Sequence, residues 1–405
     1  MGFSVVLLLA APVAVLSFDD VLRGAEAAPA VEGSRLALQT KRQLDRQISS
    51  LTQNPSLSVQ VGYRALPRTA REPEVLFELV QPWNVAGHGH ARRQAASLEE
   101  DLLGAELRER RLVQRLRAAR AWVELWTAER LWEAIERELK IALELEGLVA
   151  KAVAAQAATR AELAEAQTFT AEIEQALLAA EGERYERGLD LAQQIASAST
   201  GALGTTGGLP TPPLPDLSSE AAQRLLLERA AALPEVARRR LEERVERARA
   251  VEERAARGTQ LGVGVVLQRD APGGLVASGM IRVTPSLFEH GQRERATLLA
   301  EAERAAQQVR ASSIEARVEL ERTLHEVEHT AAVATGLEGK LVPSSRASAE
   351  AKRRIFRAGE STLFEVLTAE RIAVAAAGRL ERARAQAAWA KVKLWLLLLA
   401  MEGRS

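Results

Sequence analysis

The sequence contains three pairs of similar segments that follow one another in the same order. The pairs are LSVQVGYR (57–64) with LGVGVVLQR (261–269), ELVQPWNVAGHGHARR (78–93) with RVTPSLFEHGQRER (282–295), and TRAELAEAQ (159–167) with TLFEVLTAE (362–370). The separations are nearly constant: 204 residues from 57 to 261 and 203 residues from 159 to 362. Similar segments at one fixed spacing indicate a tandem duplication.

A segment rich in Gly, Pro, Ser and Thr divides the two halves. It reads STGALGTTGGLPTPPLPDLSS (199–219), a composition that interrupts any helix. We therefore predict a first repeat at 18–198, a linker at 199–219 and a second repeat at 220–405. Each repeat is predicted to contain a helix, two strands and a helical hairpin.

The predicted strands carry a period-two pattern. They lie near 56–65 and 74–83 in the first repeat and near 260–269 and 275–284 in the second. In SLSVQVGYR, apolar side chains at every second position alternate with polar or small ones. This pattern predicts one apolar face and one wet face. Runs of about ten residues have the length of strands that cross a bilayer in a tilted barrel. The alternative is an ordinary hairpin that packs on a helix.

The predicted helices are unusually long and rich in Ala, Glu, Arg and Leu. One runs from His88 to about Val153, which is about 100 Å at 1.5 Å per residue. The others include a first helix from about Phe18 to Leu51 and a helix of the second repeat near 291–356. Such helices, doubling back at a sharp turn, are typical of antiparallel coiled coils. Four strands cannot close a barrel, and open strand edges are not tolerated in lipid. Three copies would supply twelve strands. The predicted fold is therefore mainly α, with long antiparallel coiled coils, and has a β-barrel part to which each chain contributes four strands.

The N-terminus and the bulk composition limit the classes of function. Residues 1–17 (MGFSVVLLLAAPVAVLS) resemble a secretory signal peptide, the alternatives being a buried helix or a misplaced start codon. The 54 Lys and Arg balance 54 Asp and Glu, so no net charge attracts nucleic acid. The chain has no cysteine, which excludes disulfides, thiolate metal sites, thiol catalysis and a lipidated N-terminal Cys.

Several of these segments resemble the TolC-like outer membrane efflux proteins (outer membrane factors). They are the NPSLSV start of the first strand, QPWNVAGHGHAR after the second, VTPSLFEHGQRERA, and FRAGESTLFEVLTAE. The loop QRDAPGGLVASG is closer to the heavy-metal efflux branch than to the protein-secretion branch. The resemblance covers nearly the whole mature chain. One departure is Gln156, which stands where the family has a glycine at the first helix tip.

The resemblance implies a passive outer-membrane channel without enzymatic activity or cofactors. It implies a homotrimer in the outer membrane of a Gram-negative bacterium that extends into the periplasm. In this trimer, coiled coils would form an α-barrel, and each chain would supply four strands of a 12-stranded outer-membrane β-barrel. Its partners would be outer membrane lipid, a periplasmic adaptor (membrane fusion) protein and an inner-membrane pump of the RND type, with no nucleic acid. The cargo would be small toxic solutes, heavy-metal cations among them. A type I protein-secretion duct and a periplasmic coiled-coil scaffold are the alternatives.

The resemblance also assigns residues at the helix tips. Glu365 and Glu162 match acids that narrow the closed aperture. The residues expected to dock the adaptor are Ala157, Ala158, Thr159, Arg160, Gly359, Glu360, Ser361 and Thr362.

Two histidine motifs raise the question of metal. His325, Glu326 and His329 have the His-Glu-x-x-His spacing of zinc proteases. A zinc enzyme also needs a third ligand and an open cleft, and the surrounding sequence reads as solvated helix. We therefore interpret the motif as an accident of a Glu-rich helix, with no catalytic residues and no metal site. His88 and His90 lie at a strand-to-helix bend, where a metal contact is the minor alternative to a glycine-permitted corner.

Overall fold

A computed structural model describes residues 14–47, 53–64, 72–196, 201–217, 219–270, 274–288 and 291–403. Residues 1–13 of the predicted signal peptide lie outside the described residues. The chain divides into two compact units. Unit 1 comprises Met1–Gly33, Arg108–Leu233 and Glu315–Ser405, and unit 2 comprises Ser34–Leu107 and Pro234–Ile314.

The described residues are mainly helical. The helices are α1 (Phe18–Glu26), α2 (Pro29–Asp45), α3 (His88–Ala154), α4 (Arg160–Gln194), α5 (Glu220–Glu228), α6 (Pro234–Ala256), α7 (Gln292–Gly336), α8 (Val342–Arg357) and α9 (Leu363–Met401). The strands are β1 (Val15–Leu16), β2 (Ser56–Arg64), β3 (Glu72–Asn84), β4 (Gly204–Thr205), β5 (Gln260–Asp270) and β6 (Gly274–Thr284). The prediction of a mainly helical chain with a small antiparallel sheet is confirmed.

The four long strands form one antiparallel sheet in unit 2, in the order β2-β3-β5-β6. β3 lies in the middle because it pairs with β2 through Val59 and Phe77 and with β5 through Leu79 and Val265. β5 in turn pairs with β6. Within the described sheet, β2 and β6 each have only one neighbour, so each presents an edge.

Two helices differ from the continuous ones predicted from the sequence, and a proline accounts for each difference. The first predicted helix is split into α1 and α2, and Pro29 is the first residue of α2. At this position the backbone N–H has no partner within the helix, so a proline, which lacks that group, loses no hydrogen bond. The helix predicted from 291 to 356 contains a π-helical turn, Leu337–Leu341, between α7 and α8. Pro343 lies at the start of α8. Because its ring clashes with the preceding turn, the helix widens there.

One hydrophobic cluster of unit 1 is built around Trp122, which is fully buried. Its indole Nε1–H donates to the carbonyl of Leu16 at 3.0 Å, and its ring meets Phe18 edge-on at 5.5 Å between centroids. β1, which contains Leu16, pairs in parallel with β4, so part of the predicted 199–219 linker packs as a strand. Two residues of the predicted signal peptide also take part: Leu16 packs against this cluster and Ser17 caps α1.

Ion pairs join the helices of unit 2. Lys41 of α2 pairs with Glu99 of α3 at 2.8 Å, and Arg249 of α6 reaches the same carboxylate at 2.7 Å. Asn84 at the end of β3 donates to the carbonyl of Ala255 at 2.7 Å, which fixes the sheet to the end of α6.

No helix within the described residues is both long enough and apolar enough to cross a membrane.

Candidate functional site

Two helix tips in unit 1 have the same backbone construction. At the first, between α3 and α4, the N–H of Ala157 bonds to the carbonyl of Ala152 at 2.8 Å and the N–H of Gln156 to that of Val153 at 3.0 Å. At the second, between α8 and α9, Glu360 bonds to Ile355 at 3.1 Å and Gly359 to Phe356 at 2.9 Å. Both are Schellman turns. Each residue of the second tip lies 203 positions after its counterpart (156 to 359, 157 to 360), the spacing of the sequence repeat.

A threonine caps the helix that leaves each tip. Thr159 accepts from the backbone N–H of Glu162, and the carboxylate of Glu162 accepts from the N–H of Thr159 at 2.8 Å. This reciprocal capping box holds the pKa of Glu162 below its usual value. Thr362 plays the same part at the second tip by accepting from the N–H of Glu365. Both acids assigned to the aperture therefore lie in the first turn of a helix.

The carboxylate of Glu365 has different partners from that of Glu162. It accepts from the ammonium of Lys352 on α8 and from the hydroxyl of Ser361 at 3.0 Å. The hydrogen bond from Lys352 is the main reason that the pKa of Glu365 is lowered. The positions 203 residues earlier hold Val149 and Ala158, which cannot donate. For that reason the equivalent carboxylate at the first tip turns back onto its own helix.

The first tip places a non-glycine residue in a left-handed conformation. Gln156 has φ = 61° and its counterpart Gly359 has φ = 80°, a region that costs an L-residue about 1 kcal/mol. We expect Gln156→Gly to raise the free energy of unfolding by about 1 kcal/mol. Gly359→Gln should lower it by a similar amount through the backbone alone, since no atom lies within 4 Å of a Cβ added there. Thermal melts of the two single variants and of the double variant test this expectation. A melting temperature that is unchanged in both single variants would contradict it.

The residues predicted to dock an adaptor lie together at these two turns. Most of them are exposed, and only Ala158 and Ser361 are half-buried. Beneath them, a hydrophobic cluster joins α3, α4 and α9 through Leu145, Phe169 and Val366. Arg371 of α9 also pairs with Glu172 of α4 at 2.5 Å. The tips are thus polar turns, and the hydrophobic cluster of α3, α4 and α9 forms the packed base beneath them.

Next to this base, two glutamates are buried in the helix packing. Glu138 of α3 is 5 % exposed and Glu370 of α9 is 3 % exposed. Burial, with the nearby charge of Glu370, raises the pKa of Glu138 to about 7. Burial also raises the pKa of Glu370, although Arg353 approaches its Oε1 to 2.7 Å. That contact lacks hydrogen-bond geometry, so Glu370 Oε1 has no hydrogen-bond donor among the described residues.

The sheet of unit 2 has an apolar face that is exposed. The strand register places on this face eleven apolar side chains that are between 41 % and 73 % exposed: Leu57, Val59, Val61, Tyr63, Phe77, Leu79, Val263, Val265, Leu267, Ile281 and Val283. The opposite face carries Ser58, Gln60, Glu78, Gln268 and Arg282, and its central positions are less exposed. A sheet in water would show the reverse arrangement.

The two histidine motifs belong neither to the residues of the tips nor to those of the apolar face. The rings of His325 and His329 stack on α7 with centroids 5.7 Å apart, and Lys393 approaches Glu326 at 3.4 Å. His88, at the start of α3, lies 3.7 Å from Glu252 of α6. In the part of the chain that the structure describes, no three His, Asp or Glu side chains form a potential metal-binding group.

Three features of these sites are not predicted from the sequence: the Lys352 contact, the buried glutamates, and an ion pair between Glu78 and Arg282 on the less exposed face of the sheet. The repeat does carry a signal for the last, because Glu78 and Arg282 are the first residues of the two aligned segments 78–93 and 282–295. Equivalent positions on β3 and β6 thus hold opposite charges.

Comparison with known proteins gives structural neighbours only. The chain matches no protein-family model, and no curated protein is recognised as a relative. Its structure is similar to that of CusC, a protein that forms a transmembrane channel, with a TM-score of 0.71 and 15 % identity over 94 % of this chain and 91 % of CusC. The outer membrane protein VceC of Vibrio cholerae gives a TM-score of 0.68 and 15 % identity over 95 % of each chain. The outer membrane channel MtrE of Neisseria gonorrhoeae gives a TM-score of 0.68 and 17 % identity over 96 % of this chain and 89 % of MtrE. The chain therefore shares the fold of these outer membrane channel proteins.

Proposed function

We propose that the protein is the outer-membrane channel of an efflux system, a passive duct of the TolC-like family. The observation that carries the proposal is the sheet, whose apolar face is exposed while its polar face is the more enclosed one. Such a face is stable against the hydrocarbon of a bilayer, where the alternation of apolar-out and polar-in is the rule for barrels. The shared fold of outer membrane channels supports the same conclusion.

The free edges of the sheet determine the proposed assembly. β2 and β6 each lack a second neighbour in the described sheet, and backbone groups at an open edge find no water in lipid. Three copies joined edge to edge close twelve strands into a barrel with a lumen. The proposed protein is therefore a homotrimer in the outer membrane of a Gram-negative bacterium, with helical hairpins in the periplasm.

The helix tips are the proposed contact with the other proteins of the efflux system. We assign the exposed turns around Ala157–Arg160 and Gly359–Thr362 to a periplasmic adaptor, which would link the duct to an RND-type inner-membrane pump. The proposed cargo is small toxic solutes, including heavy-metal cations, on the basis of the QRDAPGGLVASG segment. Glu365 and Glu162 are proposed to line the aperture. Lys352 and Ser361 hold the carboxylate of Glu365 within one chain, and we propose that the contact with Lys352 also stabilises a closed state of the tip.

Recordings from purified protein in planar bilayers test this function. We expect detergent-extracted trimers to form channels, and Glu365→Gln to raise their conductance because the bond to Lys352 is lost. Glu360→Gln, a neighbouring exposed acid on the same turn, should leave the conductance unchanged.

Three outcomes would contradict different parts of the proposal. A monomer that is released without detergent and forms no channels would exclude the duct and favour a periplasmic coiled-coil scaffold. Channels whose conductance is the same in wild type and Glu365→Gln would remove Glu365 from the gate. Co-purification with a pump that exports proteins would instead identify a type I secretion duct.

A further inference from the structure

The less exposed face of the sheet contains one ion pair that bridges two strands which are not neighbours. Arg282 on β6 reaches the carboxylate of Glu78 on β3, although β5 lies between them. Ser58 on β2 donates to the other oxygen of Glu78 at 3.4 Å. Side chains from three strands therefore meet at a single carboxylate.

Glycines in β5 make this contact possible. Gly262 pairs with Arg282, and Gly264 lies two residues further along the same face. A Cβ added to Gly262 would come within 2.8 Å of Val80 Cγ1 and 3.4 Å of the Cβ of Arg282. One added to Gly264 would meet the carbonyl of Leu79 at 2.4 Å. Since β5 has no side chain at these positions, the guanidinium of Arg282 can lie across it.

The two charges differ in their exposure. The side chain of Glu78 is 14 % exposed and that of Arg282 is 51 % exposed. The carboxylate is thus the more enclosed of the two charges, and the guanidinium that pairs with it remains half exposed on this face. An ion that moves along this face would meet a compensated pair. If the arginine were neutral, the same ion would meet a carboxylate without a counter-charge.

We propose that Glu78 and Arg282 together set the charge selectivity of the barrel part of the duct, and that their mutual neutralisation lets this part pass solutes of either sign. The proposal rests on the proposed function, in which this face lines the lumen. A threefold assembly would place three such pairs around the outlet. Charges that line a pore determine which ions enter it, so removing one member of each pair should leave a ring of three like charges.

The test compares permeability ratios for K⁺ and Cl⁻, measured from reversal potentials across a KCl gradient. Arg282→Gln should make the channel more selective for K⁺ by about fivefold, the effect of about 1 kcal/mol of uncompensated interaction in a wet lumen. Glu78→Gln should shift the ratio toward Cl⁻ by a similar factor. The exchange of both residues, Glu78→Arg with Arg282→Glu, restores the pair and should return the ratio to that of the wild type.

A second measurement changes the charge beside Glu78 only after the channel has assembled, so its result does not depend on whether the charge variants fold. The chain has no cysteine, so Ser58→Cys introduces a unique thiol beside Glu78 that can be modified after assembly. An anionic methanethiosulfonate reagent should raise K⁺ selectivity, and a cationic one should lower it.

The outcomes separate this inference from the proposed function. Channels that form normally, with ratios unaffected by the substitutions and by both reagents, would overturn the role of the pair and leave the duct intact. Wild-type protein that forms no channels would overturn both.

Discussion

Val265→Arg is expected to prevent stable insertion of the protein into the outer membrane, whereas Val266→Arg is expected to be tolerated. The two valines are adjacent on β5, so they point to opposite faces of the sheet. Val265 is 51 % exposed on the apolar face. An arginine on the lipid face near the bilayer midplane costs about 2–4 kcal/mol per chain, and a trimer would bear that cost three times.

The neighbouring substitution provides a matched control with the same change in size and charge. Val266 is in register with Glu78 on the less exposed face, so its replacement places a guanidinium beside a carboxylate. The measurement is the amount of cross-linked trimer in outer membrane fractions from cells that express each variant at the same level.

The paired substitutions also discriminate between the duct and a soluble scaffold. In water, the exposed Val265 would accept an arginine at almost no cost, and the half-buried Val266 would be the more sensitive position. A trimer yield that falls for Val266→Arg and not for Val265→Arg would therefore contradict the membrane assignment.

The strands and the helix tips could be predicted from the sequence because each has a local signature. The alternation in SLSVQVGYR predicts one apolar face, and this prediction does not depend on which strand lies next to it. In the structure, the apolar face is the exposed one. The tips are visible because Thr-x-x-Glu is a capping pattern that a helix start requires. Signals of this kind depend on the backbone period and on residues within one turn of each other.

Contacts between distant segments could not be predicted in this way. Glu365 and Lys352 lie on different helices. No local sequence pattern indicates that the ammonium of Lys352 donates a hydrogen bond to the carboxylate assigned to the aperture. The burial of Glu138 is similarly invisible, because α3 is Glu-rich throughout and only the packing of α9 distinguishes this glutamate from its exposed neighbours. The His-Glu-x-x-His spacing shows the opposite case, a local signature for which the described residues provide no third ligand.

Glu138 is expected to make the stability of unit 1 depend on pH. Its pKa is raised to about 7, whereas an unfolded glutamate titrates near the usual 4.5 given for the same group. Below pH 4.5 the carboxyl is protonated in both states and contributes no penalty. Between these two values the folded state binds more protons than the unfolded state, so the free energy of unfolding falls as pH rises. Above pH 7 the whole penalty is present, at most about 3 kcal/mol per chain.

The groups that face this site strengthen the expected trend. Glu370 is the nearest charge that raises the pKa of Glu138, and Arg371 opposes it. Arg371 is already engaged by Glu172 at 2.5 Å, and Arg353 is drawn to Glu370, which Glu350 also faces. Both arginines are thus engaged by other carboxylates, which limits how far they can compensate a charge on Glu138 at high pH.

Glu138→Gln should remove most of this dependence. A neutral amide of the same shape avoids the cost of burying a charge and relieves the repulsion on Glu370, so the variant should be more stable than the wild type at pH 8 and nearly equal to it at pH 4.5. Melting temperatures of the detergent-solubilised protein between pH 4.5 and 8 measure the difference. Glu136→Gln is the control, since its carboxylate is 41 % exposed and already pairs with Lys140 at 3.2 Å, so its melting curve should follow that of the wild type. If Glu138→Gln also follows the wild type at every pH, Glu138 must remain charged in the folded protein, and the packing of α3 against α9 would have to include a counter-charge or water at that position.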